Sequence, residues 1–121
     1  MTDARCILCG QSADAWHHLT GRATPRGAYL DKSLVVPLCQ RHHDREHELL
    51  RREGADFPGP GADLVGHRLA RVLSFMGRCA EAGRPFVLEV TTPYGNAVAG
   101  LHALLHEVSA ERLPARQEVS A

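Results

Sequence analysis

The chain reads as an α+β protein: a short strand, loop, strand and helix stapled by metal-type ligands, followed by a mainly helical extension. Three observations carry that reading. Cys6 and Cys9 are answered by Cys39 and His42, two pairs at metal-ligand spacing within one short segment. Two brief apolar stretches, Ala15 to Leu19 and Leu34 to Leu38, have strand character. Beyond residue 61, apolar side chains recur at helical spacing.

Composition sets the bounds. The 121 residues have room for one ordinary domain, or for a small metal-stapled module with a helical extension. The hydrophobic fraction is 44%, yet only three Phe, two Tyr and one Trp are present, so Leu, Val and Ala must fill most of a core. Fourteen Lys and Arg balance fourteen Asp and Glu, at a sequence pI of about 7.1. That balance excludes a bulk positive field, so any nucleic-acid contact must be local. No run approaches the roughly 18 apolar residues of a membrane span, and no apolar stretch follows Met1-Thr2-Asp3-Ala4-Arg5. The expectation is a soluble, cytoplasmic protein with no membrane partner. Two-residue spacings and adjacent histidines favour metal binding in a reducing compartment over a pair of disulfides.

In order along the chain, Cys6-Ile7-Leu8-Cys9-Gly10 reads as a metal knuckle, its glycine supplying the positive φ that lets backbone wrap around a metal-bound sulfur. Ala15-Trp16-His17-His18-Leu19 reads as a strand, and residues 20–27 as an exposed loop. Leu34-Val35-Val36-Pro37-Leu38 is a second strand, with Pro37 ending its pairing or marking an edge. From Cys39 to Glu53 nothing breaks a helix until Gly54. Phe57-Pro58-Gly59-Pro60-Gly61 reads as a linker. A helix is expected from about Ala62 to Ala82, carrying Leu64, Val65, Leu69, Val72, Leu73 and Met76 and stopped by Gly83-Arg84-Pro85. Phe86 to Thr91 has the composition of a strand, a helix follows from about Asn96 to Arg112, and residues 113–121 read as a tail. The resulting division is residues 1–55 as a metal-stapled module and 56–121 as a helical extension that packs on it or mediates dimer or partner contacts.

Thiolate and imidazole together are the set that zinc takes in closed structural sites, so Cys6, Cys9, Cys39 and His42 are the expected ligands of one tetrahedral Zn2+. Helical geometry separates what remains. Cys39 and His42 are three apart and point to one ion, whereas His43 is turned about 100° further round and must look elsewhere. His47 follows His43 by four on the same face.

This order of parts, in Trp16-His17-His18-Leu19-Thr20-Gly21-Arg22 and Val35-Val36-Pro37-Leu38-Cys39-Gln40-Arg41-His42-His43, resembles the HNH endonucleases in their zinc-stapled form. The resemblance covers about residues 4 to 53. It implies a ββα-metal active site that hydrolyses DNA phosphodiesters as an endonuclease or nickase, with one divalent ion, Mg2+, Mn2+ or another transition metal. Carried over by position, His17 and His43 are ligands of that ion and His18 is the general base. His47 is either a further ligand, a residue near the phosphate, or an exposed helix histidine. The family setting is a phage, a bacterial defence system or a mobile element.

The middle residue of the family's name is missing. An asparagine normally precedes the second cysteine pair by a few positions and steadies the loop that holds the base, but the chain's one asparagine is Asn96 and Leu34 takes the expected place. Asp31, with Ser33 next, is the nearest group for that hydrogen-bonding work. Arg22, Arg26, Lys32, Arg41 and Arg45 lie in or beside the expected site and are the candidates for phosphate contact. No basic run or aromatic interleaving is present, so low sequence specificity on double-stranded DNA is expected. The competing expectation is a non-catalytic zinc module that binds nucleic acid or protein, motivated by the missing asparagine and the neutral charge. His67, His102 and His106 read as surface histidines, and Cys79 as a small buried hydrophobe.

Overall fold

The computed structural model describes residues 4–20, 32–52 and 64–112. The linker at 57–61, the tail at 113–121, the division at 55–56 and most of the loop at 20–27 fall outside them. Among the described residues five elements follow in order: β1 (Ala15–His18), β2 (Val35–Leu38), α1 (Gln40–Arg52), α2 (Leu64–Glu81) and α3 (Ala97–Arg112). The architecture is mixed α+β, and the two strands form one antiparallel sheet. Among the described residues no helix is long and apolar enough to cross a membrane.

The knuckle is a tight backbone turn. Gly10 N–H donates to the Cys6 carbonyl at 2.8 Å and Cys6 N–H to the Gln11 carbonyl at 2.7 Å, while Ile7 N–H reaches the Pro37 carbonyl at 3.0 Å and ties the knuckle to β2. Gly10 sits at φ 79°, the left-handed region its sequence position predicts. A Cβ there would also lie 3.1 Å from the Arg84 guanidinium, which closes over the turn.

Pairing in the sheet sets His17 against Val36 and His18 against Val35. Successive strand residues point to opposite faces, so His17 turns inward, 2% exposed, while His18 stays half-buried on the other side. Pro37 lies within β2 opposite Trp16, tolerated because both strands of a two-stranded sheet are edges. Helix α1 starts where Asp14 caps it, its carboxylate accepting from the Gln40 N–H at 2.9 Å. Arg51 and Arg52 close its last turn, where cations suit the helix dipole.

Helix α2 keeps its predicted extent within two residues but not its predicted face. The buried stripe runs through Val65, Arg68, Val72, Phe75 and Cys79, whereas Leu73 and Met76 are exposed at 54% and 38%. Phe75 decides the rotation: its ring lies 6.3 Å from the His17 ring and 6.1 Å from Phe86, with the Arg78 guanidinium carbon 5.8 Å from its centroid. One apolar cluster joins Cys6, Leu19, Leu34, Val36 and Leu38 to Val72, Phe75, Cys79 and Leu104. The segment 86–91 forms no strand, since no described strand runs beside it. It runs past the core with Phe86 and Leu88 partly buried against it. Asn96 caps α3 by accepting from the Ala99 N–H at 3.1 Å.

One ion pair fastens α2 to α1. Glu46 is 1% exposed, and both its oxygens accept from Arg78, each at 2.5 Å, in the planar bidentate geometry that suits guanidinium. Removing one partner strands a buried charge, which typically costs about 3 to 5 kcal/mol, whereas replacing both with apolar groups is often near neutral. Arg78→Met is therefore expected to lower the urea-unfolding free energy of the metal-loaded protein by about 3 kcal/mol. The double change Glu46→Met with Arg78→Met recovers most of that loss, and a double variant as unstable as the single one contradicts the assignment.

Candidate metal centre

Among the described residues two clusters of ligand-type side chains converge, and α1 contributes to both. In the first, the Cys9 and Cys39 sulfurs are 3.8 Å apart, Cys6 Sγ lies 3.6 Å from His42 Nδ1, and Cys39 Sγ lies 3.2 Å from the same nitrogen. A tetrahedral zinc with Zn–S of about 2.3 Å and Zn–N of about 2.0 Å has S···S edges of about 3.8 Å and S···N edges of about 3.5 Å. The cluster can hold a metal ion such as zinc. Burial is the chief cause that draws His42 below the usual imidazole range, followed by the Arg41 and Arg45 charges, with Glu46 opposing. A neutral imidazole is the form that ligates.

The second cluster is His17, His43 and His47, whose ligand atoms all lie within 4.8 Å of one another. The Nε2 atoms of His43 and His47 are 3.2 Å apart, close to the edge of about 3.3 Å that two imidazoles share on one tetrahedral ion. Their rings meet edge-on, with centroids 4.6 to 5.5 Å apart across the trio. His17 is held well below its ordinary pKa, first by burial and then by the charges of His47, Arg71, His43 and His18. Its Nδ1 is enclosed and has no hydrogen-bond partner. A buried, neutral imidazole with an unsatisfied nitrogen is costly in isolation and suited to a cation.

The structure gathers some of the expected site residues and separates others. His17, His43 and His47 come together, and His18 stands outside the trio with its ring edge-on to Tyr94 at 4.7 Å. Its charge still acts on His17. Arg41 and Arg45 are exposed, and helical spacing places both about 160 to 200° round from His43, so their charges act on His42 instead. Lys32 is exposed. Arg22, Arg26 and Asp31 lie outside the described residues. Leu34, at the asparagine's expected place, is 0% exposed and belongs to the core. His102 and His106 are exposed as expected, whereas His67 is half-buried, because α2 turns that flank toward the protein.

Sequence reasoning missed Glu46, Arg71 and Tyr94. Arg71 is 7% exposed and lines the same crevice as His17, Glu46, Phe75 and Arg78. Its signal was present in the spacing: Arg68, Arg71 and Arg78 fall on or beside the stripe of Val65, Val72, Phe75 and Cys79, and Arg68 and Arg71 are buried there. No protein-family model, curated protein or solved structure matches the chain.

Metal analysis checks the division between clusters. We expect one zinc per chain to survive dialysis, to be lost together with the folded state in Cys39→Ser, and to be kept in His43→Ala and His47→Ala. Undiminished zinc in Cys39→Ser refutes the first cluster. Cys79 gives an independent check of packing, because it is 1% exposed and burial pushes its thiol up to about 11. At pH 8 it should resist iodoacetamide in the folded protein and react once urea unfolds the chain, as read by mass spectrometry.

Proposed function

We propose that the chain is a metal-dependent phosphodiester hydrolase of HNH type, an endonuclease or nickase acting on DNA. One observation carries the proposal: a Cys3His cluster and a separate histidine trio share α1, and His18, the neighbour of His17 in β1, does not belong to the trio. A purely structural zinc module needs the first cluster and leaves the second without a purpose.

The roles follow from chemistry and placement. Cys6, Cys9, Cys39 and His42 would hold the structural zinc and so fix the start of α1 against the knuckle. His17, His43 and His47 would hold the second ion. Three neutral nitrogen donors favour a transition ion over Mg2+, which prefers oxygen. When bound, that ion supplies Lewis-acid stabilisation of charge on the scissile phosphate and the leaving 3′ oxygen. His18 is the general base. An imidazole takes a proton from water near neutral pH, and because His18 Nδ1 is enclosed, Nε2 is the atom that accepts it. Burial of His17 in the sheet keeps its imidazole neutral and available as a ligand.

Substrate contact is local. Lys32 is exposed just before β2, and Arg22 and Arg26 belong to the same connection between the strands. These suit phosphate oxygens and carry no base readout, which favours cleavage of double-stranded DNA with low sequence preference.

Incubation with supercoiled plasmid and a series of divalent ions tests the proposal. The wild type is expected to nick with Mn2+, Co2+, Ni2+ or Zn2+ in preference to Mg2+. His18→Ala is expected to lose at least about 100-fold in rate while keeping its structural zinc. If wild type and His18→Ala behave alike across ions and DNA forms, the hydrolase reading fails and the non-catalytic zinc module stands in its place.

A further inference from the structure

Between α2 and α3 the chain makes a small, self-braced turn whose tip is Tyr94. Thr92 and Gly95 exchange backbone hydrogen bonds at 3.0 and 3.1 Å. The Thr92 hydroxyl donates to the Gly95 carbonyl at 2.7 Å and accepts from the Tyr94 N–H at 3.0 Å. Gly95 adopts φ 115°, a conformation other residues rarely take. The turn is anchored at its flank by the Ala97 N–H, which donates to the Glu89 carbonyl at 3.0 Å. It abuts the start of the second strand, since a Cβ on Gly95 would meet the Ser33 Cβ at 3.5 Å.

This turn delivers an aromatic ring to one side chain of the proposed site. Tyr94 lies edge-on to His18, with centroids 4.7 Å apart and planes 73° from parallel, within the range in which aromatic pairs gain from their quadrupoles. Tyr94 itself remains 45% exposed, so burial of its own surface does not account for its place. Nothing in the extension beyond residue 61 was assigned to the chemistry. Leu34, at the place where an asparagine would be expected, is buried in the core.

We propose that Tyr94 is a positioning residue for His18: the braced 92–95 turn holds the imidazole in the orientation from which it takes a proton, the work that an asparagine beside the base would otherwise do. The inference rests on His18 being the general base. It makes the extension part of the active site, because the ring that restrains the base comes from the far half of the chain. The contact is a ring contact, so the phenyl ring suffices and the hydroxyl is dispensable.

The experiment compares wild type, Tyr94→Phe, Tyr94→Leu and His18→Ala in the plasmid-nicking assay with the metal-loaded full chain. The His18 ring protons are followed by NMR in parallel. Tyr94→Leu is expected to lower kcat by about 10-fold or more, as loss of orientation does, with KM for DNA, zinc content and melting temperature unchanged. Tyr94→Phe should stay within about twofold of wild type, and the His18 ring resonances should move in the Leu variant and not in the Phe variant. Gly95→Val is a second route to the same effect, displacing the turn and its ring while keeping the tyrosine side chain itself. Unchanged nicking by Tyr94→Leu overturns the positioning role and leaves the hydrolase reading intact. A rise in KM at constant kcat also overturns it, since that result makes Tyr94 a DNA contact. Absence of nicking by wild type with every divalent ion removes the hydrolase reading, and the role of Tyr94 with it.

Discussion

The turn of a helix is the constraint on which the site depends. His42 and His43 are neighbours in α1, and one residue of helix is about 100° of rotation, so two adjacent imidazoles cannot serve one ion. Once Cys39 and His42 face Cys6 and Cys9, with the Cys39 sulfur 3.2 Å from His42 Nδ1, the rotation of α1 about its own axis is settled. His43 and His47 must then turn to another side, and that side is where His17 arrives from β1. The same logic operates in the strand with a period of two, where His17 goes inward and His18 outward. Two doublets, one on a helix and one on a strand, each send their members to different sides.

The second half of the chain completes the surroundings of this arrangement. Phe75 lies beside His17 and beneath Arg78, and the Glu46–Arg78 pair joins α2 to the flank of α1 between His42 and His43. Burial there is the largest cause of the depressed His17 pKa. Less burial would raise it toward the ordinary imidazole range and make protonation of the ligating form easier. The extension therefore acts on the histidine trio through dielectric and charge, with Arg71 adding a fixed positive neighbour.

Local patterns made much of this legible. The spacing of Cys6, Cys9, Cys39 and His42, the positive φ at Gly10 and the extents of α1, α2 and α3 all follow from short-range rules about ligands, glycine and helix breakers. The separation of His42 from His43 was readable because helical rotation needs no tertiary information. What could not be read depends on contacts between distant segments. The outward turn of Leu73 and Met76 follows from where Phe75 finds room, and an apolar count along α2 does not choose between two nearly equivalent faces. Nothing local marks Glu46 as buried, since its partner Arg78 comes from α2, and Tyr94 reaches His18 from a turn whose only sequence mark is Pro93 and Gly95.

The neutral composition is a poor guide to the field at such a site. A count of fourteen cations against fourteen anions treats cysteines and histidines as uncharged and includes no ion. A Zn2+ held by three thiolates and one neutral imidazole carries a net charge of about −1, whereas a divalent ion on three neutral imidazoles carries about +2. Both clusters hang from one helix, so a loaded chain becomes a local dipole with its positive end at His17, His43 and His47. Arg71 stands on that same side. Attraction for a phosphodiester would then depend on the second ion and not on a basic surface. Binding would be strongest where the ion also acts on the scissile phosphate, and a chain of zero formal charge would have little hold on the DNA elsewhere along its length.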